Sequence, residues 1–197
     1  MTNFTFSIEN PSQQYIHISA QFEVSNEVTF VQLPSWRPGR YELGDFAKNV
    51  RNFEVFDENN QRLTFQKANK DCWAVQTKDI SSITVNYKFY ANTINAGSSY
   101  LDNSQLYVNP VNCCVYVQED FNEPVFIQLN VPEHWEVASS MEKTNDGFQV
   151  ANIEELFDTP FIASGQLQHR DFTSHGVLFH VWFNGEVKPQ WDRLLVD

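Results

Sequence analysis

Hydrophobic and polar residues alternate along most of this chain. Every second residue is apolar from position 16 to 24, and the same period recurs from 83 to 89. A period of two, rich in β-branched and aromatic residues, indicates half-buried strands, and about ten such segments are typical of a sandwich. We therefore predict an all-β fold, a two-sheet antiparallel β-sandwich. Further strands are predicted at 4–8, 28–31, 53–56, 63–65, 73–75, 106–108, 115–117, 125–131, 148–150 and 178–183.

Polar turn sequences separate these segments. The run T-N-D-G at 144–147 lies between apolar residues at 135–137 and at 148–150. Because Asp-Gly is a strong signal of a hairpin turn, we predict that these two segments form a β-hairpin.

The segment from 33 to 50 departs from the alternation. Pro34 and Pro38 each fix φ and push the preceding residue toward extended geometry, and Gly39 after Pro38 marks a tight turn. Apolar residues then recur at three- and four-residue spacing, which predicts one short helix in an otherwise β chain. Its apolar face consists of Leu43, Phe46, Ala47 and Val50.

Composition and charge narrow the function classes. The chain has 197 residues, 42% hydrophobic and 15% aromatic, which is enough for one large core. The net charge of −12, without clustered Lys or Arg, excludes nucleic acid and disfavours an anionic membrane surface as partners. No apolar run reaches membrane-spanning length and no signal peptide is visible, so we expect a cytoplasmic protein.

The cysteines and histidines offer little catalytic chemistry. Cys113 and Cys114 lie in an apolar segment, 111–117, that reads as a strand, so we predict buried, inert thiols there. With Cys72 the cysteine count is odd, which does not resemble a disulfide framework. No H-E-x-x-H pair is present, and His175 and His180, five apart, meet only if a turn around Gly176 brings them together. A zinc set made of these two histidines and His169 is therefore a minor alternative, and no metal site is predicted in this chain.

Carboxylates and aromatic residues leave two interpretations open. The pairs at 119–120 and 154–155 read as solvated loop or helix-start charge rather than as an acid/base pair. A set of aromatic residues either lines a sugar-stacking surface or, as aromatic burial favours, belongs to the core. That set is Trp36, Tyr41, Trp73, Tyr100 and Tyr107. From its residues alone, the chain is an acidic β-sandwich without catalytic residues of its own.

Two motifs resemble a known family. The run W-R-P-G-R-Y at 36–41, followed by D-F-A-K-N-V at 45–50, resembles the N-terminal domain of glycyl aminopeptidase-type zinc metallopeptidases. Supporting matches are L-Y-V-N at 106–109, V-P-E-H-W at 131–135 and L-F-D-T-P at 156–160, with Gly165 beyond. His180, Trp182 and Gly185 resemble the strand that opens the family's next domain.

The resemblance implies an N-terminal β-sandwich followed by a thermolysin-like catalytic domain with H-E-x-x-H, often with a PDZ domain. Residues 1–167 are then the sandwich, and 168–197 are the first strand and helix start of a truncated catalytic domain. A helix that begins after Pro189, near Trp191, has no cap or polar tail, which agrees with a fragment of a longer protein. Zinc and peptide substrate are expected in the full-length protein, and the catalytic domain of the same polypeptide is the expected partner.

The role implied for this chain is that of a scaffold that positions substrate. By analogy with related aminopeptidases, Asn109 is the candidate that contacts the substrate's amino end, and no catalytic residue is assigned. Asn109 is alternatively a turn asparagine before Pro110. The alternative function is a stand-alone β-sandwich module that binds carbohydrate or protein on an aromatic face.

Overall fold

The computed structural model describes residues 2–37 and 43–194. These residues form strands β1–β16 and three short α-helices. The strands are β1 (Thr2–Ser7), β2 (Tyr15–Glu23), β3 (Val28–Gln32), β4 (Val50–Asp57), β5 (Phe65–Asn69), β6 (Cys72–Gln76), β7 (Ser82–Tyr90), β8 (Tyr100–Leu101), β9 (Gln105–Val108), β10 (Val125–Asn130), β11 (Glu136–Ala138), β12 (Glu142–Lys143), β13 (Phe148–Val150), β14 (Phe161–Ser164), β15 (Leu167–Ser174) and β16 (Val177–Asn184). The helices are α1 (Pro110–Cys113), α2 (Ile153–Phe157) and α3 (Trp191–Leu194). No helix in these two ranges is both long enough and apolar enough to span a bilayer.

A seven-stranded sheet forms one layer, in the order β12-β13-β10-β1-β2-β7-β4. Its central strands β2 and β7 pair over nine residues, and each buries alternate side chains, as the sequence pattern predicted. All pairs in this sheet are antiparallel except β1 with β10, which is parallel. The parallel pair joins segments more than a hundred residues apart, which local sequence patterns do not reveal.

Smaller sheets pack on this layer. One has the order β11-β14-β9-β8 and another the order β3-β6-β5. Phe6 of the large sheet meets Phe161 of β14 edge-to-face, with ring centroids 5.4 Å apart. Phe53 of β4 stacks on Trp73 of β6, with centroids 4.3 Å apart. These contacts between sheets confirm the all-β sandwich, with a large sheet facing two smaller ones.

The hairpin β15–β16 forms a separate two-stranded sheet. Asn184 donates a side-chain hydrogen bond to Gln105 Oε1 at 2.8 Å. This bond connects the base of the hairpin to β9. At the other end Val177, Leu178 and Phe179 are 55%, 53% and 44% exposed. The sequence predicted only the second strand of this hairpin.

Three local predictions differ from the structure. The segment 111–117 does not form one strand: its first residues belong to α1, since Pro110 at the first helical position favours a helix start. The helix predicted around 43–50 is a 3₁₀ helix, Phe46–Asn49, and Val50 already begins β4. Across the Asp-Gly turn β13 pairs with β12, whereas β11 pairs with β14 in another sheet. The proline turn at 38–42 lies outside the described residues.

Candidate functional site

Two of the motifs meet at the loop of residues 95–99. Arg37 Nη1 donates a hydrogen bond to the carbonyl oxygen of Ala96 at 3.2 Å. Asn109 Nδ2 approaches the same oxygen at 3.4 Å, and Asn112 Nδ2 donates to the carbonyl of Gly97 at 2.9 Å. The segment after β3 and the start of α1 therefore hold one loop between them.

Gly97 lies where this loop meets Arg37, and a side chain at this position would have to displace the Arg37 guanidinium group. A Cβ atom at position 97 would lie 2.2 Å from Arg37 Nη2, closer than non-bonded atoms approach. The loop is also fixed from within, because the N–H of Gly97 donates to Asn95 Oδ1 at 2.8 Å. The guanidinium group of Arg37 consequently rests directly on the backbone of the loop.

A polar cavity of about 520 Å³ opens beside the loop. Its wall includes the side chains of Arg37, Lys48, Phe89, Ser99 and Asn112. Its size falls within the range of small-molecule sites, and its wall combines cationic, hydroxyl and amide groups with aromatic ones. We call it the polar cavity.

Asn112, one of the residues that line this cavity, has a buried acceptor without a partner among the described residues. Its side chain is 2% exposed, and Oδ1 has no hydrogen-bond partner within the described part of the chain. An unsatisfied buried polar atom costs about 1–3 kcal/mol.

Asn109, the residue selected from the sequence, lies behind this wall. It directly precedes α1 in extended conformation, is 7% exposed, and does not line the polar cavity. Its backbone N–H donates to Ser99 Oγ at 3.1 Å, so Asn109 helps to hold the loop of residues 95–99 in place. Sequence reasoning missed Asn112 because the strand assigned to 111–117 separated it from Asn109. The signal was present: two asparagines three apart share one face of a helix that starts at proline.

Tyr87 anchors the far end of α1. The buried Tyr87 hydroxyl donates to the carbonyl of Cys113 at 2.5 Å and accepts from the N–H of Val115 at 3.3 Å. Burial raises the pKa of Tyr87 well above its ordinary value, so the phenol stays protonated. The helix that carries Asn112 is thus tied into the core of the large sheet.

The thiols are buried, and two of the histidines lie against each other. Cys113 and Cys114 are fully buried as predicted, and burial raises the pKa of the Cys114 thiol well above its ordinary value. His180 does not meet His175; instead its Nδ1 lies 3.0 Å from Nε2 of His169, whose ring also stacks on Trp182. Within residues 2–37 and 43–194 no three His, Cys, Asp or Glu side chains are grouped to hold a metal ion.

The aromatic set does not form one surface. Trp73 is 3% exposed and stacked in the core, whereas Trp36 is 51% exposed. Tyr41 lies outside the described residues. Of the carboxylate pairs, 154–155 opens α2 as predicted, but Asp120 is buried and accepts a hydrogen bond from the N–H of Glu23 at 3.0 Å.

The sequence profile of the Peptidase M61 N-terminal domain matches residues 3–165. The crystal structure of an aminopeptidase N family protein from Idiomarina loihiensis superposes with a TM-score of 0.89 at 25% identity, over 98% of this chain. This chain spans 34% of that protein, about a third of its length.

A second solved structure is more distant. An M1 zinc metallopeptidase from Deinococcus radiodurans matches with a TM-score of 0.48 at 11% identity, over 98% of this chain and 50% of its own. That similarity is too low to support an inference. No curated protein matches the sequence.

Proposed function

Because the profile match over residues 3–165 shows that this chain belongs to the Peptidase M61 N-terminal domain family, we propose that it is the non-catalytic domain of a zinc metallo-aminopeptidase. In this proposal it is a scaffold that positions peptide substrate for a catalytic domain in the same polypeptide. The family match is the observation that carries the proposal. In this proposal the catalytic domain holds the zinc ion.

The exposed end of the hairpin β15–β16 supports a contact with that catalytic domain. Leu178 and Phe179 leave apolar surface uncovered, and the family match ends before the hairpin begins. Apolar patches of this kind mark interaction sites. In the full-length protein, Leu178→Ser with Phe179→Ser is expected to lower the melting temperature, whereas in this chain alone the pair is expected to have little effect. An equal effect in both proteins would argue against the contact.

For Asn109 we propose an interaction with the substrate's amino end. Asn109 does not itself line the polar cavity; the support for this role is that Asn109 bonds to Ser99 Oγ and to the carbonyl of Ala96, and so holds the loop of residues 95–99 that borders the cavity. Losing a hydrogen bond to a charged group costs about 1.5–3 kcal/mol, which corresponds to about a tenfold to hundredfold loss of kcat/KM.

The test is steady-state kinetics of the full-length protein on an amino-acid nitroanilide. Asn109→Ala is expected to lower kcat/KM on the free-amino substrate and to leave hydrolysis of an N-acetylated substrate unchanged. Asn130→Ala, at an exposed asparagine of β10, is the matched control. An unchanged kcat/KM for Asn109→Ala would remove this residue from the site.

The parentage itself is tested separately. The gene region that follows this chain is expected to encode H-E-x-x-H with a downstream Glu, and the full-length protein is expected to lose activity on chelation of zinc. A stand-alone gene without that motif would instead favour the β-sandwich binding module.

A further inference from the structure

A second cavity, of about 630 Å³, lies on the other side of the segments that form the polar cavity. Trp36 and Val111 line it, whereas their sequence neighbours Arg37 and Asn112 line the polar cavity. The two cavities share no lining residue among those described. An interaction in the second cavity is therefore independent of the proposed function.

Aromatic rings form much of its wall. Tyr116 meets Phe121 and Phe157 edge-to-face, with centroid distances of 5.4 and 5.9 Å and interplanar angles of 71° for both pairs. Trp36 lines the cavity and is 51% exposed, so this part of the wall is accessible from solvent. We call this the aromatic cleft. Its rings offer both apolar surface and π faces to a ligand.

The charged side chains that line the aromatic cleft are acidic, as far as the described residues show. Asp71, Glu154 and Asp158 line it, and the described lining includes no Lys, Arg or His. Asp71 is 6% exposed and accepts a hydrogen bond from the hydroxyl of Ser35. The basic residue next to it in sequence, Lys70, binds Asp45 instead.

We propose that the aromatic cleft binds an arginine side chain presented by a peptide segment of a partner. A guanidinium group stacks on aromatic faces and donates to carboxylates at its edge, which matches the two kinds of group in this wall. Asp71 lies in the turn between β5 and β6, whereas Glu154 belongs to helix α2. Two separate elements therefore supply carboxylates that accept hydrogen bonds from one guanidinium group. Cation–π contact with Trp36 and charge attraction to Glu154 both contribute to binding.

The test is fluorescence anisotropy with N-acetylated Ala-Arg-Ala amide carrying fluorescein, titrated with this chain. Saturable binding is expected, together with loss of binding when citrulline, the uncharged analogue, replaces arginine. Trp36→Ala and Glu154→Gln are each expected to raise the Kd about threefold to tenfold. Both positions are exposed, so these variants are expected to fold, and unchanged circular dichroism checks this.

The matched control is Glu142→Gln, an exposed carboxylate on β12 outside the aromatic cleft. An equal loss of affinity in Glu142→Gln would show only non-specific attraction to an acidic protein and would overturn the proposal. Equal binding of the citrulline peptide would point to an apolar occupant and would also overturn it. Concentration-dependent self-association that Trp36→Ala abolishes would identify a second copy of the chain as the occupant, against the proposal.

Discussion

Replacing Tyr87 by phenylalanine removes one oxygen atom from the core and tests how α1 is held. The Tyr87 hydroxyl donates a hydrogen bond to the carbonyl of Cys113 at 2.5 Å and accepts one from the N–H of Val115 at 3.3 Å. Tyr87 is 3% exposed. Each buried backbone group left without a partner costs about 1–3 kcal/mol, and the longer bond contributes less. We expect Tyr87→Phe to lower the free energy of unfolding by about 2 kcal/mol.

Urea denaturation of the chain measures this change. The midpoint is expected to fall with an unchanged m value, and the melting temperature to fall by about 4–8 °C. Tyr90→Phe on the same strand is the control, because the Tyr90 hydroxyl makes no hydrogen bond within the described residues. A loss below about 0.5 kcal/mol for Tyr87→Phe, similar to that of the control, would refute the reasoning.

Tyr87→Phe is also expected to change how the stability of the chain depends on pH. Burial, followed by the nearby Cys114 and Cys113, raises the pKa of Tyr87 in the folded state above its unfolded value. The protonated phenol therefore contributes stability that is fully present below about pH 10 and is lost as the pH rises further. We expect the wild-type chain to lose stability above that pH more steeply than Tyr87→Phe. Parallel curves would contradict the assignment of this group.

Three further predictions follow from local contacts. Asn152 caps α2 by accepting from the N–H of Glu155 at 2.9 Å, so Asn152→Ala is expected to cost about 1 kcal/mol in urea denaturation, and Asn152→Asp much less. Burial, then Lys88, lowers the pKa of His17, so its contribution is present above about pH 6.5 and lost below it; denaturation across that range should show a smaller acid loss for His17→Gln. All three thiols are buried and are expected to react with dithionitrobenzoate only after unfolding, so fast reaction of the native chain would contradict the structure; they are Cys72, Cys113 and Cys114.

The alternation of residue types was sufficient to predict most strands of the large sheet. In β2 and β7 each second side chain is buried, because successive side chains of a strand point to opposite faces. That rule depends only on neighbouring residues, so the sequence carries it. The burial of Cys113 and Cys114 follows equally from their apolar surroundings.

The polar cavity could not be predicted from the sequence in the same way. Asn109 was selected through a sequence motif. The place of Asn112 in the cavity wall was recognised only from the structure, in which residues 110–113 form α1 and not the expected strand. A run of four residues is too short for periodicity to separate a helix from a strand. Here Tyr87, more than twenty residues away in sequence, supplies the hydrogen bonds that fix the end of the helix.

The sequence by itself therefore determined the all-β class, the net negative charge, the burial of Cys113 and Cys114 and the family resemblance. The tertiary structure decided which strands pair, as in β13 with β12, and which side chains share a cavity. The physical reason is the range of the interactions. Strand period and burial preference are properties of neighbouring residues, whereas the contacts of Arg37 and Asn112 with the loop of residues 95–99 exist only after distant segments have packed.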